Sequence, residues 1–297
     1  IWILTLGYPG SGKSSLNLVM YKKVMEALGK KPNLALDLLY LQQDYLGRIG
    51  LHSVETELKG KNPHAIIIDE AHNVFDIFAK GATNLTRDAI QTAFEIREWR
   101  IAHILNSQMP NQISTRILFG RITMVIYTWQ EVVEPYLKNG SENWIYDIWR
   151  EYAKKLGIKT EDEQGNPLPG TIMFSALYTR RTALDVLKYL RSGFHVSEPE
   201  KVLARFFPKY ITPHFFVLHE AGDLYQQYKR VKRMNNLIKT YMRRYGLRGK
   251  SSFLIIKLIT SILEDGYEIE GNYAKLNEPI KVGFIKKEHL ALARELG

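Results

Sequence analysis

The sequence predicts an α/β protein with a parallel, doubly wound sheet, followed by a smaller basic unit. Short β-branched runs alternate along the chain with segments of helical periodicity, an order typical of parallel sheets that carry helices on both faces. A glycine-rich turn joins the first strand-like run to the first helical segment. A chain of 297 residues is also long enough for one large core and a second, smaller one.

Apolar runs mark the strands, and helical spacing marks the segments between them. Residues 1–6 form the first strand and lead into a helix over 13–28, which ends at Gly29. Further strands are expected at 65–68, 101–105, 121–128 and 171–178, with a last strand within 206–218, and residues 34–41 are one more apolar segment. Further helices are expected at 85–99, 113–118, 131–156 with an interruption near 139–140, 182–190 and 199–207, and the polar residues 159–170 are expected to form a surface loop.

The second unit begins near residue 222, which divides the chain into a domain over 1–222 and a domain over 223–297. Two helices are expected there, at 225–245 and 251–264. Residues 267–284 contain two turn signals, Gly271-Asn272 and Asn277-Glu278-Pro279, which are spaced to let short strands pair as a hairpin. The order helix, helix, hairpin predicts a winged-helix-like module.

Composition excludes several functional classes. The hydrophobic share of 45% and the charged share of 24% are those of a globular protein. Zero cysteines exclude disulfides, thiolate metal sites and cysteine nucleophiles. The best candidate for a membrane span, residues 253–263, is short and is broken by Lys257. We therefore expect no membrane span and a protein that acts in the cytoplasm.

The net charge of +10 is concentrated in one segment of the chain. Ten basic residues and no acidic ones lie between Leu224 and Leu263, whereas the rest of the chain balances at 31 basic and 31 acidic residues. Such a segment predicts contact with a polyanion, most plausibly DNA, although a solvated helix face is the alternative. Interleaved tyrosines at 225, 228, 241 and 245 favour nucleic acid. The expected DNA contacts are Lys229, Arg230, Lys232, Arg233, Lys239, Arg243, Arg244, Arg248 and Lys250.

The glycine-rich turn, Gly-Tyr-Pro-Gly-Ser-Gly-Lys-Ser over residues 7–14, matches the pattern G-x-x-x-x-G-K-[ST]. In such a loop the glycines let backbone N–H groups surround an anion at a helix N-terminus. We expect Lys13 to reach the β- and γ-phosphates of ATP and Ser14 to offer its hydroxyl to Mg²⁺. The expected nucleotide-binding residues are Gly7, Pro9, Gly10, Ser11, Gly12, Lys13, Ser14 and Ser15.

Two acids follow the β-branched run Ile66-Ile67-Ile68. We expect Asp69 to be the metal ligand and Glu70 to polarise the attacking water. Because adjacent strand residues point to opposite faces, Glu70 must lie past the strand end for both acids to meet the nucleotide. With Ala71 and His72 these acids form the sequence Asp-Glu-Ala-His, which is also a motif of helicases. No later arginine-rich helicase motif follows, so His72 is interpreted as a structural turn residue.

Polar residues follow the next strand, as Asn106-Ser107-Gln108. Open α/β proteins place ligand contacts at this carboxyl edge of the sheet. Gln108 is a candidate for a hydrogen bond to the γ-phosphate or to the attacking water, and a surface-turn glutamine is the alternative.

The order of these motifs resembles the FtsK/HerA superfamily of DNA-pumping ATPases. Within it, the sequence is most similar to the Zot-type proteins of filamentous phages and related ATPases of archaeal viruses and plasmids. The resemblance covers about residues 1–128 and includes the loop, Ile-Asp-Glu-Ala, the arginine-rich stretch 94–100 and Ser-Gln-Met-Pro-Asn-Gln-Ile over 107–113. Zot-type proteins usually carry a membrane span, which this sequence lacks, and this departure favours a motor over a membrane-linked role.

The resemblance implies a RecA-like (ASCE) core that assembles as a ring, usually a hexamer, with ATP at subunit interfaces. It also implies an arginine supplied by the neighbouring subunit. Arg116 and Arg121 are the candidates, Arg97 and Arg100 are alternatives, and each of them also fits an ordinary surface arginine.

Three functions remain open on the sequence. The leading hypothesis is an ATP-driven DNA translocase for packaging, conjugation or segregation of a mobile element. The second is a DNA-binding helper of replication or transposition whose state is switched by ATP. The third is a Zot-like factor for virion assembly or export that does not grip DNA.

Overall fold

A seven-stranded sheet forms the centre of the computed structural model, which describes residues 1–60, 62–76, 83–96, 100–155, 157–192, 197–206, 211–213, 222–232, 269–270, 273–274 and 280–281. Its strands are β1 (Trp2–Leu6), β2 (Leu38–Leu39), β3 (His64–Ile68), β4 (Ile101–Ser107), β5 (Met124–Val133), β6 (Gly170–Thr179) and β7 (Ile211–Pro213). The helices are α1 (Lys13–Ala27), α2 (Leu34–Asp37), α3 (Gln42–Lys59), α4 (His72–Phe75), α5 (Thr83–Glu95), α6 (Thr115–Gly120), α7 (Trp144–Lys155), α8 (Arg180–Arg191), α9 (Pro199–Arg205) and α10 (222–232).

The strand order is β2-β3-β4-β1-β5-β6-β7. The first five strands in this order are parallel, as predicted. The expectation of a parallel sheet is wrong for β6 and β7, which pair antiparallel. A parallel neighbour needs a crossover, whereas an antiparallel one can return from the same end of the sheet. Residues 134–169 connect β5 to β6 at one end of the sheet, because Val133 at the end of β5 pairs with Gly170 at the start of β6.

One other expectation from the sequence is corrected by the structure. The helix expected over 131–156 begins only at Trp144, because β5 continues to Val133 and its β-branched end pairs with β6. The apolar segment 34–41 is divided between α2 and β2. Helix α3 was not predicted; its start is stabilised by Asp44, whose carboxylate accepts the backbone N–H of Leu41 at 3.1 Å.

The core lies on both faces of the sheet. On β1, Leu4 and Leu6 pack into one buried cluster, and Ile3 packs into the other with Leu16 and Leu18 of α1. All five residues of β1 and of β3 are therefore buried. Helices on both faces explain why the parallel strands appear in the sequence as continuous apolar runs. Within the described residues, no helix has the length and apolarity that a bilayer span requires.

Helix α10 is the first element of the predicted basic unit, and it packs against the sheet domain. Leu224, Tyr228 and Val231 are buried in the same cluster as Ile3 of β1. Their spacing of i, i+4 and i+7 puts them on one face of the helix. The start of the basic unit is therefore anchored to the core, and the division of the chain at residue 222 stays a prediction.

Three short strands lie near the C-terminus: β8 (Ile269–Glu270), β9 (Tyr273–Ala274) and β10 (Ile280–Lys281). They pair antiparallel in the order β10-β9-β8, which agrees with strand pairing across the two turn signals. Most of the two expected helices, 225–245 and 251–264, lies outside the described residues. The winged-helix-like module therefore stays a prediction.

A buried ion network joins α1, α2, α3 and β3. Asp37 accepts hydrogen bonds from Arg48 at 2.8 Å and from Tyr21 at 2.6 Å, and His64 Nε2 lies 2.9 Å from the same carboxylate. Burial alone would raise the pKa of Asp37, but Arg48, His64 and Tyr21 outweigh it and lower the pKa to about 2. A lowered folded-state pKa stabilises the fold above the ordinary value of 3.8, and this stabilisation is lost as the pH falls towards 2.

Replacing Arg48 by Met should lower the free energy of unfolding by about 3–5 kcal/mol at pH 7, because the buried Asp37 carboxylate loses its charge partner. Denaturant unfolding followed by circular dichroism measures this change. Glu57→Gln, an exposed change on the same helix, is the control and should stay within about 0.5 kcal/mol of the parent. A loss of less than about 1 kcal/mol for Arg48→Met would show that the network adds little to stability.

Candidate functional site

The loop between β1 and α1 has a geometry that only glycine permits at two positions. Gly12 precedes the first helical residue with φ 87°, and Gly7 has φ 151°. A Cβ at Gly12 would lie 2.2 Å from the Met173 sulfur, and one at Gly7 would lie 2.3 Å from the Thr128 carbonyl oxygen. These contacts leave no room for a side chain, so the backbone itself forms the inner wall of the loop.

The loop is tied to the neighbouring strand β5. The Ser11 hydroxyl lies 2.8 Å from the Thr128 hydroxyl, which in turn donates to the Leu6 carbonyl at 3.2 Å. The Tyr8 hydroxyl donates to the Gln130 carbonyl at 3.0 Å. These hydrogen bonds therefore hold the loop at both of its ends.

Lys13 is buried at the start of α1 and folds back across the loop. Its ammonium group donates to the carbonyl oxygens of Gly7 at 3.0 Å and Tyr8 at 2.7 Å. Burial lowers the pKa of Lys13, and the carboxylates of Glu70 and Asp69 oppose this shift. The ammonium thus lies inside the loop.

Asp69 and Glu70 follow the last residue of β3, Ile68. Asp69 is 2% exposed, and Glu70 adopts a left-handed backbone conformation with φ 57°. This turn places Glu70 past the strand end, as the sequence analysis required. Left-handed backbone is rare for a residue with a side chain and is found disproportionately at functional sites.

Asn106 connects the two acids and the loop. Its side-chain nitrogen donates to Asp69 at 2.6 Å and to the Ser14 hydroxyl at 3.4 Å, and its side-chain oxygen accepts the backbone N–H of Glu70 at 2.7 Å. Ser14 also donates to Asp69 at 3.4 Å. Sequence reasoning noticed the polar run after the strand expected at 101–105 but assigned a role only to Gln108. In the structure β4 continues to Ser107, so Asn106 is a buried strand residue whose amide needs partners, and the strand end expected too early hid this signal.

Gln108 lies against Glu70 at this edge of the sheet. Its side-chain nitrogen donates to Glu70 Oε1 at 2.9 Å. The second carboxylate oxygen, Oε2, lies 3.4 Å from His72 Nδ1. Nδ1 of His72 also lies 3.3 Å from the Ser107 hydroxyl, which agrees with a structural role for this histidine in the turn.

Two side chains of α10 reach the site, and sequence reasoning did not place them there. The Tyr228 hydroxyl donates to Asp69 Oδ2 at 3.1 Å and lies 3.2 Å from the Ser14 hydroxyl. Lys232 donates to Tyr228 at 3.0 Å and to Asp69 Oδ2 at 3.3 Å. Burial would lower the pKa of Lys232, but Asp69 and Tyr228 raise it above its ordinary value. Burial and the Asp69 carboxylate also raise the pKa of Tyr228.

The candidate arginines lie elsewhere on the molecule. Arg121 donates to the Ala93 carbonyl and stacks over Trp2, at the end of β1 opposite to the loop. Arg116 is exposed and lies over the Phe94 ring. Arg100 is exposed, and Arg97 lies outside the described residues.

Three of the expected DNA contacts fall on α10. Lys229 and Arg230 are exposed there, and Lys232 reaches Asp69 as described. The remaining six, which lie outside the described residues, are Arg233, Lys239, Arg243, Arg244, Arg248 and Lys250.

The residues present fit a magnesium nucleotide. A cavity of about 380 Å³ is lined by the loop, by Glu70 and Gln108, and by Tyr225, Tyr228 and Lys232 of α10. Mg²⁺ prefers oxygen ligands and is usually bound by one or two carboxylates together with phosphates. Asp69 and the Ser14 hydroxyl supply such oxygens. Phosphate oxygens and waters would complete the shell, because Mg²⁺ usually keeps several waters. Within the described residues no cluster of three or more acidic, histidine or cysteine ligands occurs.

The chain has distant structural similarity to a solved protein domain. No family model matches the sequence, and no curated protein matches it. Among solved structures, the N-terminal domain of zonular occludens toxin from Neisseria meningitidis aligns with 68% of this chain and 96% of its own, at 12% identity and a TM-score of 0.33. That similarity is too low to carry an argument about fold or function.

Replacing Asn106 by Ala should lower the free energy of unfolding by about 1.5–3 kcal/mol, the range for a hydrogen bond to a charged group. The buried, charged Asp69 carboxylate would lose the hydrogen bond that the Asn106 amide donates. Asn73→Ala, an exposed asparagine in the same turn region, should change it by less than about 0.5 kcal/mol. Thermal or denaturant unfolding of the two variants measures the difference. Equal stabilities would mean that Asn106 does not organise this site.

Proposed function

We propose that this protein is a Mg²⁺-dependent ATPase of the P-loop class. The proposal is carried by the hydrogen bonds of Asn106, whose amide contacts Asp69 at 2.6 Å, Ser14 at 3.4 Å and the backbone of Glu70 at 2.7 Å. A phosphate-binding loop and an acidic pair that lie far apart in the sequence are thereby held at one edge of the sheet. Phosphoryl transfer to water depends on this juxtaposition, because catalysis is mainly positioning and charge stabilisation.

The loop residues would hold the phosphates. Gly7 and Gly12 leave the backbone N–H groups free to approach an anion, and the start of α1 adds its positive end. Lys13 now bonds to two loop carbonyls, and it would exchange them for β- and γ-phosphate oxygens. Ser14 and Asp69 would hold the magnesium ion, which neutralises phosphate charge when bound.

The Glu70 carboxylate would orient and deprotonate the attacking water. Its oxygen Oε1 is fixed by Gln108 at 2.9 Å. Its other oxygen, Oε2, accepts no hydrogen bond from the described part of the chain and lies 3.4 Å from His72. An anchored carboxylate with one oxygen that accepts no hydrogen bond suits a general base. Gln108, which bonds to that base, would respond to the state of the γ-phosphate.

Two substitutions test the ATPase proposal. Lys13→Ala should nearly abolish nucleotide binding or turnover, because it removes the mobile cation from the phosphates. Glu70→Gln should keep nucleotide binding but lower turnover by about 10²-fold or more, because an amide cannot act as a base. Binding is measured with a fluorescent ATP analogue and turnover by phosphate release. Normal turnover in Lys13→Ala would rule out the P-loop assignment, and normal turnover in Glu70→Gln would rule out Glu70 as the base.

We further propose that the ATPase acts on DNA, as a translocase of a mobile element working as a ring. The support is the ten basic residues between Leu224 and Leu263, a segment that contains no acidic residue. A neighbouring subunit would supply an arginine; Arg116, which is exposed, is better placed to reach another subunit than Arg121, whose guanidinium is engaged by Ala93 and Trp2. Strong stimulation of turnover by long duplex DNA is the expected mark of translocation.

One observation favours the second candidate, a DNA-binding helper that is switched by ATP. The helix that begins the basic tract bonds directly to the nucleotide site through Tyr228 and Lys232. A switch of this kind would show slow turnover and a DNA affinity that depends on the bound nucleotide. Measuring turnover with and without DNA therefore separates the two candidates.

DNA affinity should fall log-linearly with salt, because basic residues release counterions from the phosphates they neutralise. In the full chain, replacing Arg243 and Arg244 by Ala should lower the slope by roughly one to two units. The control removes Lys154 and Lys155, two exposed lysines of α7, and should leave the slope unchanged. If the full chain does not bind DNA at low salt, or binds it independently of salt, the export-factor hypothesis replaces DNA translocation.

A further inference from the structure

The contacts of α10 fall on the atoms that the proposed function assigns to the metal. Asp69 Oδ2 lies 3.1 Å from the Tyr228 hydroxyl and 3.3 Å from the Lys232 ammonium, and the Ser14 hydroxyl lies 3.2 Å from Tyr228. The ammonium of Lys232 supplies a positive charge at Asp69, which is the electrostatic role of a divalent cation. The Tyr228 hydroxyl is hydrogen-bonded to Ser14 and Asp69, the two residues whose oxygens would bind the metal.

The same helix also lines the cavity at the loop. Tyr225, Tyr228 and Lys232 contribute to its wall together with Lys13 and Ser14. The helix is held there by the buried face of Leu224, Tyr228 and Val231. Phosphates and magnesium cannot share these positions with the two side chains.

We propose that α10 is an autoinhibitory plug: Lys232 and Tyr228 occupy the magnesium and phosphate side of the site, and a magnesium nucleotide binds only when this part of the helix moves away. The inference rests on the proposed function, since it needs a nucleotide site to block. It goes beyond that function because it gives the start of the basic tract a role besides DNA contact, which is to block the nucleotide site.

Two kinds of contact hold the plug in place. Lys232 is 46% exposed on its side chain, and a partly exposed ion pair contributes little. The buried apolar face of α10 supplies the rest. When only a fraction of molecules is competent to bind, the apparent dissociation constant rises by the inverse of that fraction. Loosening the plug should therefore tighten nucleotide binding.

A rival explanation is that Lys232 helps to hold the phosphates, as a second cation beside Lys13. The two explanations predict opposite signs. If Lys232 is a ligand, its removal weakens nucleotide binding; if it is a plug, its removal strengthens binding. Tyr228→Phe avoids the change of charge altogether, because it removes only the hydroxyl and keeps the buried ring.

The first experiment measures the dissociation constant of a fluorescent ATP analogue with Mg²⁺ in the full chain. Lys232→Ala and Tyr228→Phe should each lower it about 3- to 30-fold. Lys188→Ala removes an exposed lysine of α8 and should leave the dissociation constant unchanged. Lys13→Ala, combined with Tyr228→Phe, should abolish nucleotide binding. This result would establish that the nucleotide binds at the loop.

The second experiment follows the helix itself, without relying on affinity. The chain has no cysteine, so nitroxide labels can be placed at Glu26→Cys on α1 and Gln227→Cys on α10, both exposed positions. Without nucleotide, the electron-spin distance distribution should be narrow. The magnesium ATP analogue, added in the Glu70→Gln background, should shift or broaden it. Lys232→Ala should broaden it already without nucleotide.

The results separate failure of the plug from failure of the proposed function. If nucleotide binds in a Lys13-dependent way but Tyr228→Phe and Lys232→Ala leave affinity unchanged or weaken it, the plug is wrong and the ATPase stands. An identical distance distribution with and without bound nucleotide overturns the plug in the same way. If no variant binds nucleotide, the ATPase proposal falls, and the plug falls with it.

Discussion

The buried carboxylate of Asp69 is the constraint on which the rest of the site depends. A charge that is 2% exposed must find hydrogen bonds or an opposite charge. Asn106, Tyr228 and Lys232 meet this requirement from β4 and α10. Because β4 lies between β1 and β3, the amide that reaches Asp69 also reaches the Ser14 hydroxyl at the loop. The need to satisfy one carboxylate thus brings together three segments that are distant in the sequence.

Much of the parallel core could be predicted because its signals are local. The runs that form β1 and β3 are buried on both faces, so apolarity alone marks them. The glycine loop is equally visible, since its backbone geometry excludes other residues at Gly12. The direction of β6 was not predictable, because pairing partners far apart in the chain decide it. Helix α3 was missed because its apolar positions are interrupted by polar residues that face the buried network around Asp37.

The contacts of α10 with the site could not be predicted from the sequence either, for a different reason. Lys232 and Tyr228 were interpreted from local composition as DNA-facing groups, whereas their partner Asp69 lies more than 150 residues earlier. In the proposed mechanism, one helix carries both the beginning of the basic tract and a plug for the nucleotide site. A second ligand that holds this helix away from the core would then strengthen nucleotide binding. By thermodynamic linkage, the nucleotide would strengthen the binding of that second ligand by the same factor.

The central claim, that Asp69 holds the metal of a nucleotide at the loop, is tested most directly by calorimetric titration of ATP with and without Mg²⁺. In the parent chain, Mg²⁺ should tighten ATP binding about tenfold or more, which is about 1.4 kcal/mol or more. In Asp69→Asn that gain should largely disappear. The ratio of the two constants is the informative quantity, because releasing Lys232 changes both of them. An undiminished gain from Mg²⁺ in Asp69→Asn would contradict the claim.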